Sequence, residues 1–265
     1  MKKYIVIGNP IDHSLSPKLH NYWIKKNNIN AIYHKKKLKE NDIESIISEV
    51  KNGKIDGINV TVPFKKSVIA FLDELTPLAK EAQSVNTIYK DNNKVIGHNT
   101  DIEGFELALK KINFIATNKK VFILGAGGVV PSIIIALKKM KVSQIILSNR
   151  TKQKAEDLKN IYPNLKIINW GETPDFNMII NATSLGLNKD DKINVNYDNV
   201  GENKLFYDVI YNPTQTKFLS EAIKFGHQIE NGKMMFIYQA HQAFAIWHKI
   251  LPEINNSTIK LLDND

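Results

Sequence analysis

The sequence predicts an α/β protein of two domains, the second of them doubly wound. Three observations predict it. Short apolar runs closed by glycine or proline alternate with stretches of helical spacing along the whole chain. A continuous apolar strand at 121–124 runs into Gly125-Ala126-Gly127-Gly128, then a helical pattern, then a second strand at 145–148. The chain has 265 residues, enough for two ordinary domains.

The elements follow in order. Residues 3–7 form an apolar strand that ends in the turn Gly8-Asn9-Pro10. Ser16 supplies a helix N-cap and Pro17 a first-turn proline, for a helix reaching about Lys26. Residues 33–38 alternate as a strand, and 41–50 places Ile43, Ile46, Ile47 and Val50 on one helical face. A strand over 58–62 is stopped by Pro63. Residues 87–89 and 94–97 flank Asp91-Asn92-Asn93 as a hairpin. A helix then begins with Asp101 at its cap and lines up Phe105, Leu109 and Ile112. The domain boundary falls within 101–118.

The second domain opens at Lys119. Its strand, glycine turn, helix (129–140) and strand make a unit of about 30 residues, the first half of a Rossmann-like dinucleotide fold. Pro131 lies in the first helical turn, where its missing N–H costs little. Strands at 166–168, 178–181 and 205–209 follow with helices between, and a long apolar helix spans 234–250.

Composition narrows the chemistry. At 43% apolar and 24% charged residues, the chain is neither disordered nor fibrous. No apolar run approaches the roughly 20 residues of a membrane span, and the N-terminal run is too short for a signal peptide, so a cytoplasmic protein is expected. Without cysteine there are no disulfides, thiolate metal sites or thiol nucleophiles. The seven histidines show no metal-ligand spacing, so no metal is expected. Redox chemistry therefore falls to a bound organic cofactor. The net charge of +9 comes from dispersed lysines, with one cluster at Lys35-Lys36-Lys37, and predicts no nucleic-acid partner.

Among 36 basic residues, Arg150 is the sole arginine. It stands at the end of the second strand of the glycine-turn unit, in Ser148-Asn149-Arg150-Thr151, with Lys152 and Lys154 close behind. An NAD site places a carboxylate there for the ribose 2′-OH. A guanidinium with hydroxyl and amide neighbours suits a 2′-phosphate instead, so the residues favour NADP(H). A surface salt bridge is the plainer alternative for Arg150.

Four polar clusters mark the first half. Ser14 and Ser16 put two hydroxyls at a helix N-terminus, a carboxylate cradle. Asn59-Val60-Thr61-Val62-Pro63-Phe64-Lys65 sets an amide, a hydroxyl and an amine just past a strand. Ser84-Val85-Asn86-Thr87 and Gly97-His98-Asn99-Thr100-Asp101 add amide, hydroxyl and carboxylate groups. Singly, each also reads as a cap, a turn or a solvated lysine.

Taken together, the motifs resemble those of the shikimate dehydrogenase family. Ser-Leu-Ser-Pro, Asn-Val-Thr-x-Pro-x-Lys, Val-Asn-Thr and Asn-Thr-Asp-x-x-Gly are followed by Gly-Ala-Gly-Gly and Asn-Arg-Thr. Asn181-Ala182-Thr183-Ser184-Leu185-Gly186, Asp208-Val209-Ile210-Tyr211-Asn212-Pro213, Asn231-Gly232 and Gln239-Ala240 complete the set, in family order from Ser14 to Gln239.

The resemblance implies NADPH-dependent, reversible reduction of 3-dehydroshikimate to shikimate, on the route to chorismate and the aromatic amino acids. It implies Lys65 and Asp101 as the catalytic pair. Ser14, Ser16, Thr61, Asn86, Tyr211 and Gln239 would bind substrate with them. On the cofactor side, Gly125, Ala126, Gly127, Gly128 and Val129 would take the pyrophosphate. Asn149, Arg150, Thr151, Lys152, Gln153 and Lys154 would take the adenosine phosphate, with Val209 and Gly232 beside the nicotinamide. It also implies a C-terminal helix that returns to the first domain, hence a substrate domain of 1–101 plus 238–265 and an NADP domain of 102–237. Departures are Val130-Pro131 after the glycines, Gln83-Ser84-Val85 before Asn86, and Lys154 in place of a second arginine. The alternatives are a quinate/shikimate dehydrogenase preferring NAD and a non-catalytic NADP-binding sensor. The partner is a small-molecule substrate, and the chain is a monomer or homodimer.

Overall fold

The structure, a computed structural model, describes residues 1–263. The chain divides into two compact units, Met1–Gly104 with the chain from Ile237 onward, and Phe105–Phe236.

The first unit contains β1 (Lys2–Gly8), α1 (Ser16–Lys26), β2 (Ala31–Lys37), α2 (Ile43–Lys51), β3 (Gly57–Val60), β4 (Glu74–Leu75), α3 (Pro77–Ala82), β5 (Thr87–Asp91) and β6 (Lys94–His98). The helix α4 (Asp101–Lys111) begins in it. The strands form one mixed sheet in the order β2-β1-β3-β5-β6-β4. β1 runs parallel to both β2 and β3, whereas β5 is antiparallel to β3 and to β6. Tyr4, Ile5, Val6 and Ile7 are all buried, the unbroken apolar run of a strand covered on both faces. Ile5 and Ile7 pack with Ile43, Ile46, Ile47 and Val50 of α2, and with Ile58, Val60 and Ile88 of the sheet.

The opposite face is aromatic. Trp247 stacks on Tyr4 at 4.9 Å, and its Nε1 donates to the Ile88 carbonyl (3.1 Å). It reaches the sheet because β3 begins with Gly57, where a Cβ would stand 2.3 Å from the indole nitrogen. The long helix that carries Trp247 is described below.

The second unit contains β7 (Lys120–Leu124), α5 (Val130–Lys139), β8 (Gln144–Ser148), α6 (Lys152–Ile161), β9 (Lys166–Ile167), β10 (Met178–Asn181), β11 (Leu205–Asp208), α7 (Lys217–Lys224) and β12 (Gln228–Glu230). Every pairing in its sheet is parallel, in the order β12-β11-β10-β7-β8-β9. Counted within the unit this is 6-5-4-1-2-3, the doubly wound order whose ligand crevice opens where the order reverses, between β7 and β10. Phe122, Leu124, Ile146, Ile179 and Phe206 from the strands build its core with Phe218, Leu219 and Ala222 of α7. The helix α8 (Lys233–His248) leads back into the first unit at Ile237, and α9 (Asn256–Lys260) follows. Among the described residues, no helix is long and apolar enough to cross a membrane.

The structure departs from the expected elements at several places, and β4, α3 and α9 have no counterpart among them. Ser16 is the first residue of α1, not its cap; Leu15 takes the cap position, and Ser14 Oγ accepts the Ser16 N–H (3.4 Å). Asp101 likewise lies inside α4, whose first N–H groups are taken by Asn99 Oδ1, from Asp101 at 3.1 Å and Ile102 at 3.3 Å. The strand β12 has no counterpart in the sequence reading, because three residues with polar ends carry no alternation to detect.

His20, on α1, is fully buried and stacked on Tyr33 (4.2 Å between centroids, 5° between planes), and neither ring nitrogen has a hydrogen-bond partner among the described residues. Burial, reinforced by His248, lowers its pKa to about 3. The unfolded chain takes up this proton near pH 6.5 and the folded one resists it, so stability is intact above that pH and erodes as pH falls toward about 3. The His20→Phe variant, which keeps the stack, is expected to lose less stability than wild type between pH 7 and 4, by on the order of 2–3 kcal/mol. Urea unfolding at the two pH values checks it; parallel slopes for both proteins would refute it.

Candidate functional site

In the first unit, the carboxyl ends of β3 and β6 gather the polar side chains. Because β5 runs antiparallel to β3, with Asn59 opposite Thr87, the start of β5 lies beside the end of β3. Lys65 follows β3, and its carbonyl accepts the Val85 N–H (2.8 Å), tying the two segments together. Lys65 Nζ meets Asp101 Oδ2 at 2.6 Å, with the side chains only 12% and 8% exposed. Lys66, next in sequence, is exposed. With Asn99 capping α4, the Asp101 carboxylate is left to the lysine.

Asn86 holds this pair in place. Its Nδ2 donates to Asp101 Oδ1 (3.0 Å), to Thr100 Oγ1 (2.9 Å) and, at 3.4 Å, to Gln239 Oε1. Its Oδ1 accepts the Thr100 N–H (2.8 Å) and the Thr87 hydroxyl (3.1 Å). Asn86 and Asp101 are buried, and Gln239 comes from α8. The result is an ammonium and a carboxylate in contact, at the edge of solvent and braced by amides. That arrangement can pass a proton to an oxygen while stabilising charge that develops on it.

Of the other expected residues in this unit, Ser16 is buried and Ser14 half-buried at the start of α1. Thr61 is half-buried just past β3, and its N–H donates to the Ile7 carbonyl (2.9 Å). Gly8 makes room for it, since a Cβ there would stand 2.5 Å from the Thr61 methyl.

The second unit offers a cleft of about 250 Å³ where the strand order reverses. Gly125, Ala126 and Gly127 form one wall, and Ala182, Thr183, Ser184 and Leu185 the facing one. Asn149, Arg150, Thr151 and Lys154 stand at one end with Trp170. Gly125 has φ +108°, and a Cβ on it would lie 2.7 Å from the Ala182 carbonyl; only glycine closes β7 here. Asn149 Nδ2 donates to the Thr151 carbonyl (2.7 Å) and shapes the loop. Arg150 is exposed and forms no salt bridge among the described residues, so the surface ion pair considered for it is not made. A glycine-lined turn at a helix start, faced by a free guanidinium, a lysine and hydroxyls, fits a phosphorylated dinucleotide. Lys152 and Gln153 do not line the cleft; Gln153 bonds Asp157 instead (2.9 Å). Val129 is the residue before α5, and Gly128 precedes it.

A buried network supports the far wall. Asp208, fully buried at the end of β11, accepts from Asn181 Nδ2 (3.0 Å), the Ile210 N–H (3.0 Å) and the Thr216 hydroxyl (2.6 Å). Burial pushes its carboxyl above the ordinary range, against the pull of those three donors. Asn181 in turn accepts from the N–H and hydroxyl of Thr183, and Thr183 Oγ1 accepts the Leu185 N–H (3.0 Å). Beyond Asp208, Val209 and Gly232 touch: the Gly232 N–H donates to the Ile210 carbonyl (3.1 Å), and a Cβ would stand 2.1 Å from the Val209 oxygen. The Tyr211 ring stacks on Phe236 (4.6 Å). Among the described residues, no group of three or more histidines or acids is placed to hold a metal ion.

Sequence reasoning gave no site role to Asn59, Thr100, Trp170 or the 182–185 wall. Asn59, Thr100 and the 182–185 segment lie inside the quoted motifs, which were the signal available; Trp170 lies in none of them.

Residues 6–88 match the family model described as the shikimate dehydrogenase substrate binding domain, and residues 106–185 that described as shikimate / quinate 5-dehydrogenase. The chain is 61% identical over 262 residues to the shikimate dehydrogenase (NADP(+)) of Pelagibacter ubique, covering 99% of each protein. It is similar to the crystal structure of shikimate dehydrogenase from Aquifex aeolicus, with TM-score 0.90 and 34% identity, over 100% of this chain and 98% of that one. It is similar also to the enzyme of Thermus thermophilus solved with NADP(H) and shikimate, with TM-score 0.90 and 28% identity over 99% of each.

The Asp208 network generates a stability prediction. Asp208→Ala strands an amide, a backbone N–H and a hydroxyl, and is expected to cost about 2–4 kcal/mol in urea unfolding. Asp208→Asn keeps an acceptor and is expected to cost less than half as much; equal losses would show that hydrogen bonding is not what the carboxylate supplies.

Proposed function

The chain belongs to the shikimate dehydrogenase family, and from that premise we propose that Lys65 and Asp101 handle the proton of its reaction. The protein is an NADP(H)-dependent oxidoreductase that interconverts 3-dehydroshikimate and shikimate. When bound, NADPH supplies the hydride that reduces the ketone carbon. The observation that carries the residue assignment is the Lys65–Asp101 contact at 2.6 Å, between two largely buried side chains.

In the reducing direction the Lys65 ammonium gives its proton to the ketone oxygen as that oxygen takes up negative charge, and the lysine regains a proton from water. In the oxidising direction Lys65, as the neutral amine, takes the hydroxyl proton. Asp101 positions the ammonium through Oδ2, while Oδ1 is held by Asn86. The carboxylate also accepts from a substrate hydroxyl neighbouring the reacting carbon. Ser14 and Ser16 bind the substrate carboxylate at the start of α1, where the helix dipole favours an anion. Thr61, Asn86 and Gln239 orient the ring.

For the cofactor, the turn from Gly125 to Val129 takes the pyrophosphate, and Arg150 the 2′-phosphate, with Asn149, Thr151 and Lys154 beside it. Lys152 and Gln153, off the cleft, contribute only general positive charge and loop shape. Val209 and Gly232 form a surface of backbone at the nicotinamide end, which suits a ring that needs close approach.

The test is turnover of 3-dehydroshikimate followed by loss of NADPH absorbance. Lys65→Ala is expected to lower kcat by roughly 10²–10⁴-fold with cofactor binding intact. Arg150→Ala is expected to raise KM for NADPH about 10–100-fold and leave KM for NADH unchanged. A Lys65→Ala enzyme of near-normal kcat would remove the lysine from the mechanism; equal effects on both cofactors would remove the phosphate role of Arg150.

A further inference from the structure

We propose that Tyr33 is a positioning residue for substrate binding, whose hydroxyl locks the Ser16 cradle to the amide cluster around the catalytic pair. The proposal rests on the reading of the site given above. Tyr33, on β2, is 1% exposed and contacts no substrate in that reading. Its hydroxyl donates to Asn59 Oδ1 at 2.7 Å and is hydrogen-bonded to the Ser16 side chain. One phenol therefore joins the start of α1 to the end of β3.

The link continues without a gap. Asn59 Nδ2 donates to the Asn86 carbonyl (3.0 Å) and to Thr87 Oγ1 (3.2 Å), so both ends of its amide are engaged. A turned amide would set its NH₂ against the Tyr33 O–H and its oxygen against the Asn86 carbonyl. Asn86 then reaches Asp101, and Asp101 reaches Lys65. The path from carboxylate cradle to proton donor runs Ser16, Tyr33, Asn59, Asn86, Asp101, Lys65.

Tyr33 itself is clamped to α1. Asn21 accepts its N–H (2.9 Å) and donates to its carbonyl (2.8 Å), while the His20 ring lies parallel on the phenol at 4.2 Å. Ser16, His20 and Asn21 thus hold one tyrosine by its hydroxyl, ring and backbone, and the helix cannot shift along β2 without breaking all three. Burial keeps the phenol protonated, so the donor to Asn59 persists at any working pH. A role in packing alone would be met by the ring, which phenylalanine preserves.

The experiment is steady-state kinetics of the full chain with Tyr33→Phe, Ser16→Ala and the double variant. Tyr33→Phe is expected to raise KM for shikimate about fivefold, the worth of one neutral hydrogen bond. KM for NADP⁺, kcat and the melting temperature should stay near wild type. In the Ser16→Ala background the same change should shift KM for shikimate less than twofold, because the hydroxyl then has no cradle to hold. An unchanged KM for shikimate overturns the proposal, as does a full fivefold effect that persists without the Ser16 hydroxyl. A variant that fails to fold, or that shifts both KM values along with its melting temperature, overturns it as well, since the hydroxyl would then be structural. Wild-type protein that turns over no shikimate refutes the functional reading instead, and that measurement comes first.

Discussion

A polar side chain buried at the end of a strand has to find its hydrogen bonds inside the protein, and in the first unit that requirement converges on the Asn86 amide. Its two ends meet Thr87 beside it, Thr100 and Asp101 at the start of α4, and Gln239 of α8. An unmet bond at so buried a point costs about 1–3 kcal/mol, so each partner limits where the others can sit. The Lys65–Asp101 contact inherits its geometry from this arrangement. The antiparallel turn of β5 makes it possible, since it brings the Asn86 segment beside the end of β3.

The second unit meets a different constraint with the same economy. A parallel sheet leaves its carboxyl-end carbonyls and amides facing a crevice, and a phosphate needs backbone close at hand. Gly125 and Gly232 let backbone pack closely on backbone there, each with a carbonyl where a Cβ would stand. Asp208 and Asn181 anchor the loops on the other side, so the rigid parts of the cleft are buried polar groups and its open parts are glycine and exposed cations. Arg150, with no ion pair among the described residues, keeps its five donors open at the end of the cleft.

Much of this was legible beforehand, for identifiable reasons. The strands of the second unit were visible because parallel strands covered on both faces read as unbroken apolar runs. Lys65, Asp101 and Arg150 stood out because few residue types can supply an ammonium, a carboxylate or a planar cation at strand ends. Other features were hidden. Serine at 16 and aspartate at 101 both look like helix caps, yet Leu15 and Asn99 occupy those roles, because cap preference ranks residue types and does not place side chains. The strand β12 was too short and polar to show alternation, and Trp170 stood at a strand end among ordinary loop residues.

By itself the sequence determined the α/β class, the order of most of its elements, the absence of cysteine and which side chains could supply an ammonium, a carboxylate or a planar cation. Those properties are local: they depend on periodicity, on turn residues and on the identity of side chains. Tertiary structure alone decided which groups meet. Tyr33 bonds a residue 26 positions away, Lys65 one 36 away, and Asn86 one 153 away. Such distances are set by strand order and register, which many sequences share and no single motif records. The folding of the sheet turns residues scattered along the chain into one connected set of hydrogen bonds.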